Sequence, residues 1–494
     1  MRGVGGDAVN EGAEGCRDPG MAMCLASLAK RGNVGVMEKT RNASDGSALA
    51  DAVKNCFPRP LTGDKLEKFW VDTQDARDGL VSFRETLQDT LDQEGAPKVL
   101  VYGHRGCGKS TEINKFVSDL DESWLVIKLN AGDFLPVSGN QAADVLLAAC
   151  TRLMEIAEQE KLELNERSMR PVLEYFSTTT EKREDARDSN LNAEAGVDVS
   201  QTVLGKLIGL RSKLVAELKF GSRSVSSTVE NVRRRKGELA AAVQGLTQAA
   251  EIAWRTKSGN PDGRLLLVIE ELDKLGLDDA HRIFVDDGRL LAEVGIRAIY
   301  TIPVFAFHSA YAGAIRSYFD HEQRLPMIKV VTPEGERSAE GRGTVREIVR
   351  RRVGADVLPE DSLNVLIDRT GGVLRDVFEA IQTAAQFREV KRTGVLSLRF
   401  IEEALRRMET TIGLQIAFPP GDKGEKKDPK PLQEKLCEIA KKQSEKRRII
   451  AQPDPDLQLL LMSGALLEYN GDGWLGVHPL ARAYLKDLGY DVGS

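Results

Sequence analysis

The glycine-rich segment 103–110 constrains this chain more than any other part of its sequence. It reads GHRGCGKS and fills every specified position of the pattern G-x-x-x-x-G-K-[ST]. The apolar run KVLVY precedes it, and residues 111–120 follow it with apolar side chains at helical spacing. Glycines let the chain curl so closely around phosphate oxygens that main-chain N–H groups and a helix N-terminus bind them. The segment therefore predicts a strand, a phosphate-binding loop and a helix.

Each position of this loop has an expected role toward a nucleotide. Lys109 would reach the β- and γ-phosphates, Ser110 would ligate Mg²⁺, and Thr111 would lie near the α-phosphate. The interpretation competes with that of an accidental glycine-rich turn, which the flanking strand and helix patterns disfavour. The residues predicted to bind the nucleotide are Gly103, His104, Arg105, Gly106, Cys107, Gly108, Lys109, Ser110 and Thr111.

A second apolar run, residues 265–269, ends in paired carboxylates where a metal partner for such a loop is needed. We expect Glu270 to hold Mg²⁺ and Glu271 to orient and deprotonate the attacking water. This metal position usually carries aspartate, so the longer Glu270 leaves Asp273 open as a substitute. A solvated, acidic start of a helix is the alternative interpretation.

Two further residues are candidate catalytic groups. Thr301 ends the apolar run 296–301, where its hydroxyl could reach the γ-phosphate or the attacking water, although a strand-end threonine also suits an ordinary turn. Arg375 lies at the start of a predicted helix, from which it could swing onto the nucleotide and couple its state to the position of that helix.

The order of apolar runs predicts an α/β fold. Runs at 98–102, 124–129, 265–269, 296–301 and 327–331 alternate with helical or long segments, as in a parallel sheet covered by helices on both faces. Two short apolar runs around Asn470-Gly471-Asp472-Gly473 predict a hairpin after two helices, the pattern of a winged helix. The predicted parts are a tail at 1–50, a P-loop core at 51–335 with a mainly helical insertion at 130–263, a helical lid at 336–417, a linker at 418–431 and a winged-helix domain at 432–494.

Composition excludes several classes of protein. The net charge of −6 over 494 residues leaves no global positive field for nucleic acid, so such contact would have to come from local basic clusters at 233–236 and 441–448, for which solvated helix faces are favoured. Six cysteines lie far apart, which excludes a disulfide framework and a structural zinc cluster. No apolar stretch of about 18 residues is free of charge, so we expect a cytoplasmic chain without a membrane span.

The segments GHRGCGKST, LLLVIEELDKL, IYTIP and TGGVLRD, in this order and ahead of a predicted winged helix, resemble the AAA+/STAND group of P-loop ATPases. The order of core, lid and winged helix is also similar to that of origin-recognition-type ATPases. The resemblance implies ATP and Mg²⁺ as cofactors, hydrolysis of ATP to ADP and phosphate, and a nucleotide-controlled switch or assembly ATPase. It also implies a homo-oligomer in which Arg316 or Arg324 completes a neighbour's site, or a separate effector protein, for example in bacterial defence or regulation.

Two other functions remain open from the sequence. In the first, the chain is a DNA-binding adaptor or loader that uses its winged helix, and its ATP site is mainly structural. In the second, the chain is a scaffold that recruits an effector through the insertion at 130–263.

Overall fold

The computed structural model describes residues 47–78, 81–135, 141–165, 167–175, 236–417, 428–445, 454–469 and 474–493. Its centre is a parallel sheet of five strands in the order β2-β3-β4-β1-β5. Helices cover both faces. The strand β1 lies between β4 and β5, and the glycine-rich loop follows it. The predicted α/β P-loop NTPase sheet is therefore confirmed. The five strands are β1 Lys98–Tyr102, β2 Trp124–Asn130, β3 Arg264–Glu270, β4 Arg297–Thr301 and β5 His321–Arg324.

The fifth strand is not the one predicted from apolar runs. His321–Arg324 pairs with β1, whereas residues 327–331 lie outside the sheet, so that prediction was wrong. An edge strand is half exposed, and its HEQR sequence carries no apolar signal. Met327, Ile328 and Val330 are apolar because they are buried, although they do not belong to the sheet. The strand is the segment whose main chain pairs with β1.

The helices of the core are distributed between the strands and ahead of them. The first one begins inside the segment predicted as a tail, because Leu49, Ala52 and Cys56 recur at helical spacing and are buried. The core helices are α1 47–55, α2 Asp64–Phe69, α3 Gln74–Asp78, α4 Phe83–Leu91, α5 Lys109–Asp119, α6 Ala131–Phe134, α7 Ala142–Gln159, α8 167–175, α9 Lys236–Ser258, α10 Leu277–His281, α11 Gly288–Glu293 and α12 Ala312–Tyr318.

The two faces of the sheet are buried by different helices. Alternate residues of β1 and β3 face opposite ways, and on one face they meet Leu87 and Leu91 of α4 and Ile113 and Phe116 of α5. On the other face α7 packs on β2 and α9 packs on β3. The described ends of the predicted insertion are thus helices of the core layer, while its residues 176–235 lie outside the described residues.

The lid and the C-terminal segment are mainly helical. Residues 336–417, predicted as a lid, contain the helices α13 to α17, and α18 begins at Lys430, inside the segment predicted as a linker. The predicted hairpin is confirmed by the antiparallel pairing of β6 with β7, and its turn at 470–473 lies outside the described residues. These elements are α13 Ala339–Arg350, α14 Glu360–Thr370, α15 Leu374–Ala385, α16 Arg388–Thr393, α17 Leu398–Ala417, α18 Lys430–Ser444, α19 Pro455–Ser463, β6 Leu466–Glu468, β7 Leu475–Val477 and α20 Pro479–Asp487.

Among the helices of the described residues, none combines the length and the apolar character that crossing a bilayer requires.

Candidate functional site

The glycine-rich loop connects β1 to the N-terminus of α5 in a conformation that needs its glycines. Gly106 has φ 87° and Gly108 has φ 106°, values that side chains rarely allow. A Cβ atom on Gly106 would stand 2.7 Å from the Cβ atom of Arg375 in the lid. The loop and the helix α15 therefore approach each other so closely at position 106 that only glycine fits there.

A cavity of about 350 Å³ opens over this loop. Its wall includes the charged residues Lys109, Glu271 and Asp273. It also includes apolar and aromatic residues from α2, the segment after it and the lid, namely Phe69, Trp70, Ile348, Leu374 and Phe378. A cavity that offers both anion-binding and aromatic groups suits an amphipathic ligand with phosphate groups and a planar base.

Lys109 lines this cavity and has three oxygen partners. Its Nζ atom is 2.9 Å from Oδ2 of Asp273 and donates to the carbonyl oxygens of Gly103 at 2.7 Å and His104 at 2.9 Å. Burial pulls the pKa of Lys109 down, but the Asp273 carboxylate outweighs it and leaves that pKa raised. The same pair holds the pKa of Asp273 below its ordinary value although burial opposes this. Asp273 is therefore an ionised partner of the loop lysine.

Glu270 ends β3 as a buried carboxylate with two unlike oxygens. Its Oε2 atom is 2.7 Å from Nζ of Lys128, while its Oε1 atom is buried and has no hydrogen-bond partner within the described part of the chain. Burial raises the pKa of Glu270, and Lys128 and the nearby Ser110 hydroxyl only partly offset this. A buried, unpartnered carboxylate oxygen beside a serine hydroxyl fits an oxygen-preferring divalent cation such as Mg²⁺.

The protein groups at this point do not form a complete metal cage. Within the described residues, no three His, Cys, Asp or Glu side chains converge closely enough to hold a metal ion by themselves. Mg²⁺ is commonly bound by one or two protein oxygens together with water and phosphate oxygens of a substrate. Ser110 and Glu270 are the two residues that fit this mode of binding.

Glu271 lines the cavity in a constrained conformation. Its φ angle of 69° lies in the left-handed region, where a residue other than glycine is strained. Its carboxylate forms an ion pair with Lys274 and reaches toward Gly132, where a Cβ atom would stand 2.6 Å from Oε2. The backbone thus turns this carboxylate toward the cavity, where the sequence analysis places a general base.

Thr301 is not brought to the cavity. Its side chain is 1% exposed, its hydroxyl donates to the carbonyl oxygen of Ile269 at 3.5 Å, and it does not line the cavity wall. Contact of this hydroxyl with a phosphate remains a prediction. In this conformation the hydroxyl hydrogen is donated to Ile269 of the adjacent strand β3.

Arg375 lies where the lid meets the loop. It is the second residue of α15, is half-buried, and lines the cavity beside Gly106. Burial lowers its pKa, and the neighbouring Arg105 lowers it further. The carboxylates of Asp376, Asp273 and Glu379 oppose this lowering of the pKa. The predicted contact with the nucleotide would add phosphate groups to these anionic partners.

Arg77 is a supporting residue that the sequence analysis missed. This buried side chain donates to the carbonyl oxygen of Cys107 at 2.6 Å and to the Thr73 hydroxyl at 2.8 Å. It also donates to the carbonyl oxygen of Pro326, which follows β5. Arg77 therefore fixes the middle of the loop against two core segments. No motif marks it, because two of its acceptors are main-chain carbonyl oxygens that lie far from it in sequence.

The C-terminal hairpin packs directly behind the phosphate loop. The Nε2 atom of His104 accepts a hydrogen bond from the main-chain N–H of Glu468 at 2.6 Å. The Glu468 carboxylate is buried, forms an ion pair with Arg324 and lies 3.3 Å from Nε2 of His308. Burial lowers the pKa of His104 to about 4, so this ring is neutral and free to accept.

Apolar side chains complete this contact between hairpin and loop. Cys107 of the loop and Val373, just before the lid helix, share a small buried cluster with hairpin residues. Tyr469 and Trp474 stack with ring centroids 4.8 Å apart within it. The loop therefore has the cavity on one side and the hairpin on the other.

A second polar contact joins the lid to the C-terminal segment. Nε2 of the buried His478 is 2.9 Å from Oδ2 of Asp376, which follows Arg375 in the lid helix. Nδ1 of the same ring accepts from the N–H of Leu480 at 3.1 Å and caps α20. Both ring nitrogens are thus used, and the ring links two elements that meet only in the tertiary structure.

The two arginines considered as contributors to a neighbour's site differ in their surroundings. Arg324 forms its ion pair with Glu468 of the same chain. Arg316 is half exposed on α12, with its Nε atom 2.9 Å from Oε2 of the exposed Glu322. Neither lines the cavity, and Arg316 is the more accessible of the two.

Comparisons with known proteins give similarity to solved structures only. No protein-family model matches the sequence, and no curated protein sequence matches it. A Walker-type ATPase of Pyrococcus abyssi is similar with a TM-score of 0.44 and 13% identity over 87% of this chain and 99% of that one. The ORC2 protein of Aeropyrum pernix, in its ADPNP–ADP complexes, has a TM-score of 0.35 and 13% identity over 82% and 91%. The ORC1 protein of the same organism, in complex with DNA, has a TM-score of 0.33 and 12% identity over 86% and 93%. These values are too low to carry an argument about function.

Proposed function

We propose that this chain is an ATP-binding, Mg²⁺-dependent NTPase of the AAA+/STAND kind whose nucleotide state controls the arrangement of core, lid and C-terminal segment. The observation that carries the proposal is the position of Lys109. It lies buried at the N-terminus of α5, in a glycine loop, and lines a cavity whose wall also contains aromatic side chains. A helix N-terminus, main-chain N–H groups and a lysine at one point form a site for phosphate groups.

The residues around the cavity divide the work of hydrolysis between them. Lys109 and the loop N–H groups would hold the β- and γ-phosphates, and Ser110 with Glu270 would hold Mg²⁺, which when bound neutralises charge on the phosphates. Glu271 would accept the proton of the attacking water, and Arg375 would add positive charge from the lid. The aromatic wall would hold the base, and ATP is preferred over GTP on the family resemblance alone.

The proposed switch rests on contacts that reach the C-terminal segment from the cavity wall. Arg375 and Asp376 are neighbours in the lid helix, one lining the cavity and the other bound to His478. His104 belongs to the loop itself and binds the hairpin at Glu468. A phosphate that repositions the loop or Arg375 therefore acts on both contacts, and a ligand shifts such an equilibrium by its differential affinity for the two arrangements.

Nucleotide binding is tested with the loop lysine. We expect wild-type protein to bind ATP in the presence of Mg²⁺ by calorimetry, and Lys109→Ala to lose at least ~100-fold in affinity because a charge-assisted contact is removed. Lys257→Ala, which removes an exposed lysine paired with Glu160, serves as the control and should bind normally. If Lys109→Ala binds and hydrolyses ATP like wild type, the proposal fails.

Hydrolysis and assembly are tested with the carboxylate. Glu271→Gln should retain ATP while its turnover falls by ~100-fold or more, since general base catalysis is removed. Light scattering after size exclusion, with and without ATP and Mg²⁺, then reports whether the trapped state forms a homo-oligomer. Arg316→Ala should lower turnover only if the oligomer forms.

DNA binding through the predicted winged helix, and a separate effector reached through the insertion, are alternatives that no contact in the described residues favours. Trp474 and Glu468 of the hairpin are buried against the loop, and Lys441 and Lys442 pair with Asp491 and Glu438 of the same chain. A salt-dependent affinity for duplex DNA that is lost on truncation at Gly421, together with zero turnover, would favour the adaptor instead.

A further inference from the structure

Lys128 is a charged residue next to the candidate metal site that the proposed function does not use. It lies on β2, in register with Val268 of β3, and its side chain points to the face of the sheet that α5 covers. Its Nζ atom reaches Oε2 of Glu270 at 2.7 Å and the amide oxygen of Asn114 in α5. The lysine thus connects the strand β2, on which it lies, to the end of β3 and to α5.

The partners of Lys128 are fixed in turn. Asn114 is buried, and its Nδ2 atom donates to the carbonyl oxygen of Leu61 at 2.7 Å. The N–H of Leu61 donates to the Thr111 hydroxyl at 3.3 Å, next to Ser110 in the phosphate loop. Each group in this chain of hydrogen bonds is held by the next, so the ammonium group has two fixed partners in the protein although the Lys128 side chain is 28% exposed.

The two oxygens of Glu270 are therefore distinguished by the fold. Oε2 is bound to the ammonium group, and Oε1 is buried without a hydrogen-bond partner in the described part of the chain. A buried carboxylate without a counter-charge is costly, so Lys128 stabilises the ionised form of Glu270. A cation at Oε1 would share this carboxylate with the ammonium group, and two positive charges on one carboxylate repel each other.

We propose that Lys128 is a built-in counter-ion of Glu270, a positioning residue that keeps Oε1 available and competes electrostatically with the divalent cation. This inference rests on the proposed function. It predicts that the protein alone binds Mg²⁺ weakly and that the negative charge of the nucleotide phosphates is needed to bring the cation to Glu270. The lysine would in this way couple occupancy by the cation to occupancy by a nucleoside triphosphate.

The first test measures stability without metal. In EDTA, Lys128→Met should lower the melting temperature by about 5 °C or more, since it leaves a buried carboxylate without its counter-charge. The double variant Lys128→Met with Glu270→Gln should recover most of that loss. Lys257→Met removes a lysine from an exposed pair with Glu160 and is the control, with little effect expected. A Lys128→Met protein as stable as wild type in EDTA, or no recovery in the double variant, overturns the proposal.

The second test measures the cation itself. Mg²⁺ titrated without nucleotide should stabilise Lys128→Met at a concentration at least ~10-fold lower than it stabilises wild type, because the competing charge is gone. Lys128→Arg keeps the charge and should behave like wild type. Equal Mg²⁺ responses in wild type and Lys128→Met overturn the competition.

If Lys128→Met does not fold alone, the double variant is compared with Glu270→Gln. Equal stability of those two in EDTA supports the proposal, and a large remaining loss contradicts it. ATP binding by wild type is measured in parallel, so a failure of the proposed function appears as absent ATP binding, whereas a failure of this inference appears in the EDTA and Mg²⁺ responses.

Discussion

The main-chain N–H of Glu468 donates to the Nε2 atom of His104 over 2.6 Å, which joins the C-terminal hairpin to the phosphate loop across 364 residues of sequence. The acceptor lies on a free position of the loop pattern, and the donor lies on β6. Because the bond uses a lone pair of the imidazole, it exists only while the ring is neutral, with its proton on Nδ1. The hairpin therefore packs directly on the loop that carries the candidate nucleotide site.

Stability should fall in acid because of this histidine. The pKa of His104 falls from 6.5 to about 4, mostly because the ring is buried, and Lys109, His308 and His478 act in the same direction while Glu468 opposes them. The unfolded chain then binds a proton that the folded chain does not. Above pH 6.5 His104 is neutral in both states and costs the folded state nothing. As the pH falls from 6.5 toward 4, protonation of the unfolded chain lowers the free energy of unfolding by up to about 3 kcal/mol.

Denaturant unfolding at several pH values checks this. The variant His104→Gln removes the titrating group and should show a drop between pH 6.5 and 4 that is smaller by about that amount. The control is His321→Gln at an exposed histidine, which should keep the wild-type drop. An unchanged pH dependence in His104→Gln contradicts the assignment.

The buried carboxylate of Glu468 should hold the hairpin in place. We expect Glu468→Gln to lower the free energy of unfolding by about 2–3 kcal/mol, because it removes the charge that Arg324 and His308 share. Hydrogen exchange should then rise at residues 103–107 as well as at 466–468. Glu438→Gln, in an exposed pair with Lys442, should change neither. Exchange that rises only in the hairpin would argue against coupling to the loop.

Gly106 should be intolerant of any side chain. Gly106→Ala places a Cβ atom 2.7 Å from that of Arg375 and demands a φ of 87° from alanine. We expect a loss of about 1–3 kcal/mol in stability and at least ~10-fold weaker ATP binding. The matched change Gly343→Ala, inside α13 and with open space at its Cβ, should be neutral or slightly stabilising. Normal ATP binding by Gly106→Ala would show that the lid does not need this close approach.

Asp273 should compete with phosphate for Lys109. A nucleotide phosphate that takes Lys109 as its partner must replace the carboxylate now 2.9 Å from it. In EDTA, Asp273→Asn should therefore bind ATP ~10-fold more tightly, about 1.4 kcal/mol, while the free energy of unfolding falls because Lys109 loses its ionic partner. Fluorescence titration of ATP measures the first effect, and Asp262→Asn at an exposed turn is the control. Weaker ATP binding by Asp273→Asn would mean that this carboxylate assists binding.

The sequence signals that predicted the structure correctly are local. The loop at 103–110, the carboxylates at the end of β3, the strands β1 to β4 and the hairpin strands were predicted, because each depends on neighbouring residues and on periodicity. The strand β5 was missed, since its HEQR sequence is polar and only pairing with β1 makes it a strand. Contact of Thr301 with a phosphate rests on its position at the end of a strand and stays a prediction, and in this conformation its hydroxyl donates to the carbonyl oxygen of Ile269.

The sequence by itself determined that a glycine loop joins a strand to a helix and that carboxylates end another strand, because spacing along the chain is enough to specify both. Only the tertiary structure decided that Lys128 is the partner of Glu270, that Arg77 braces the loop, and that Glu468 binds His104. These contacts join residues far apart in sequence, and they form because burial leaves polar groups that must find a partner wherever the folded chain brings one within reach.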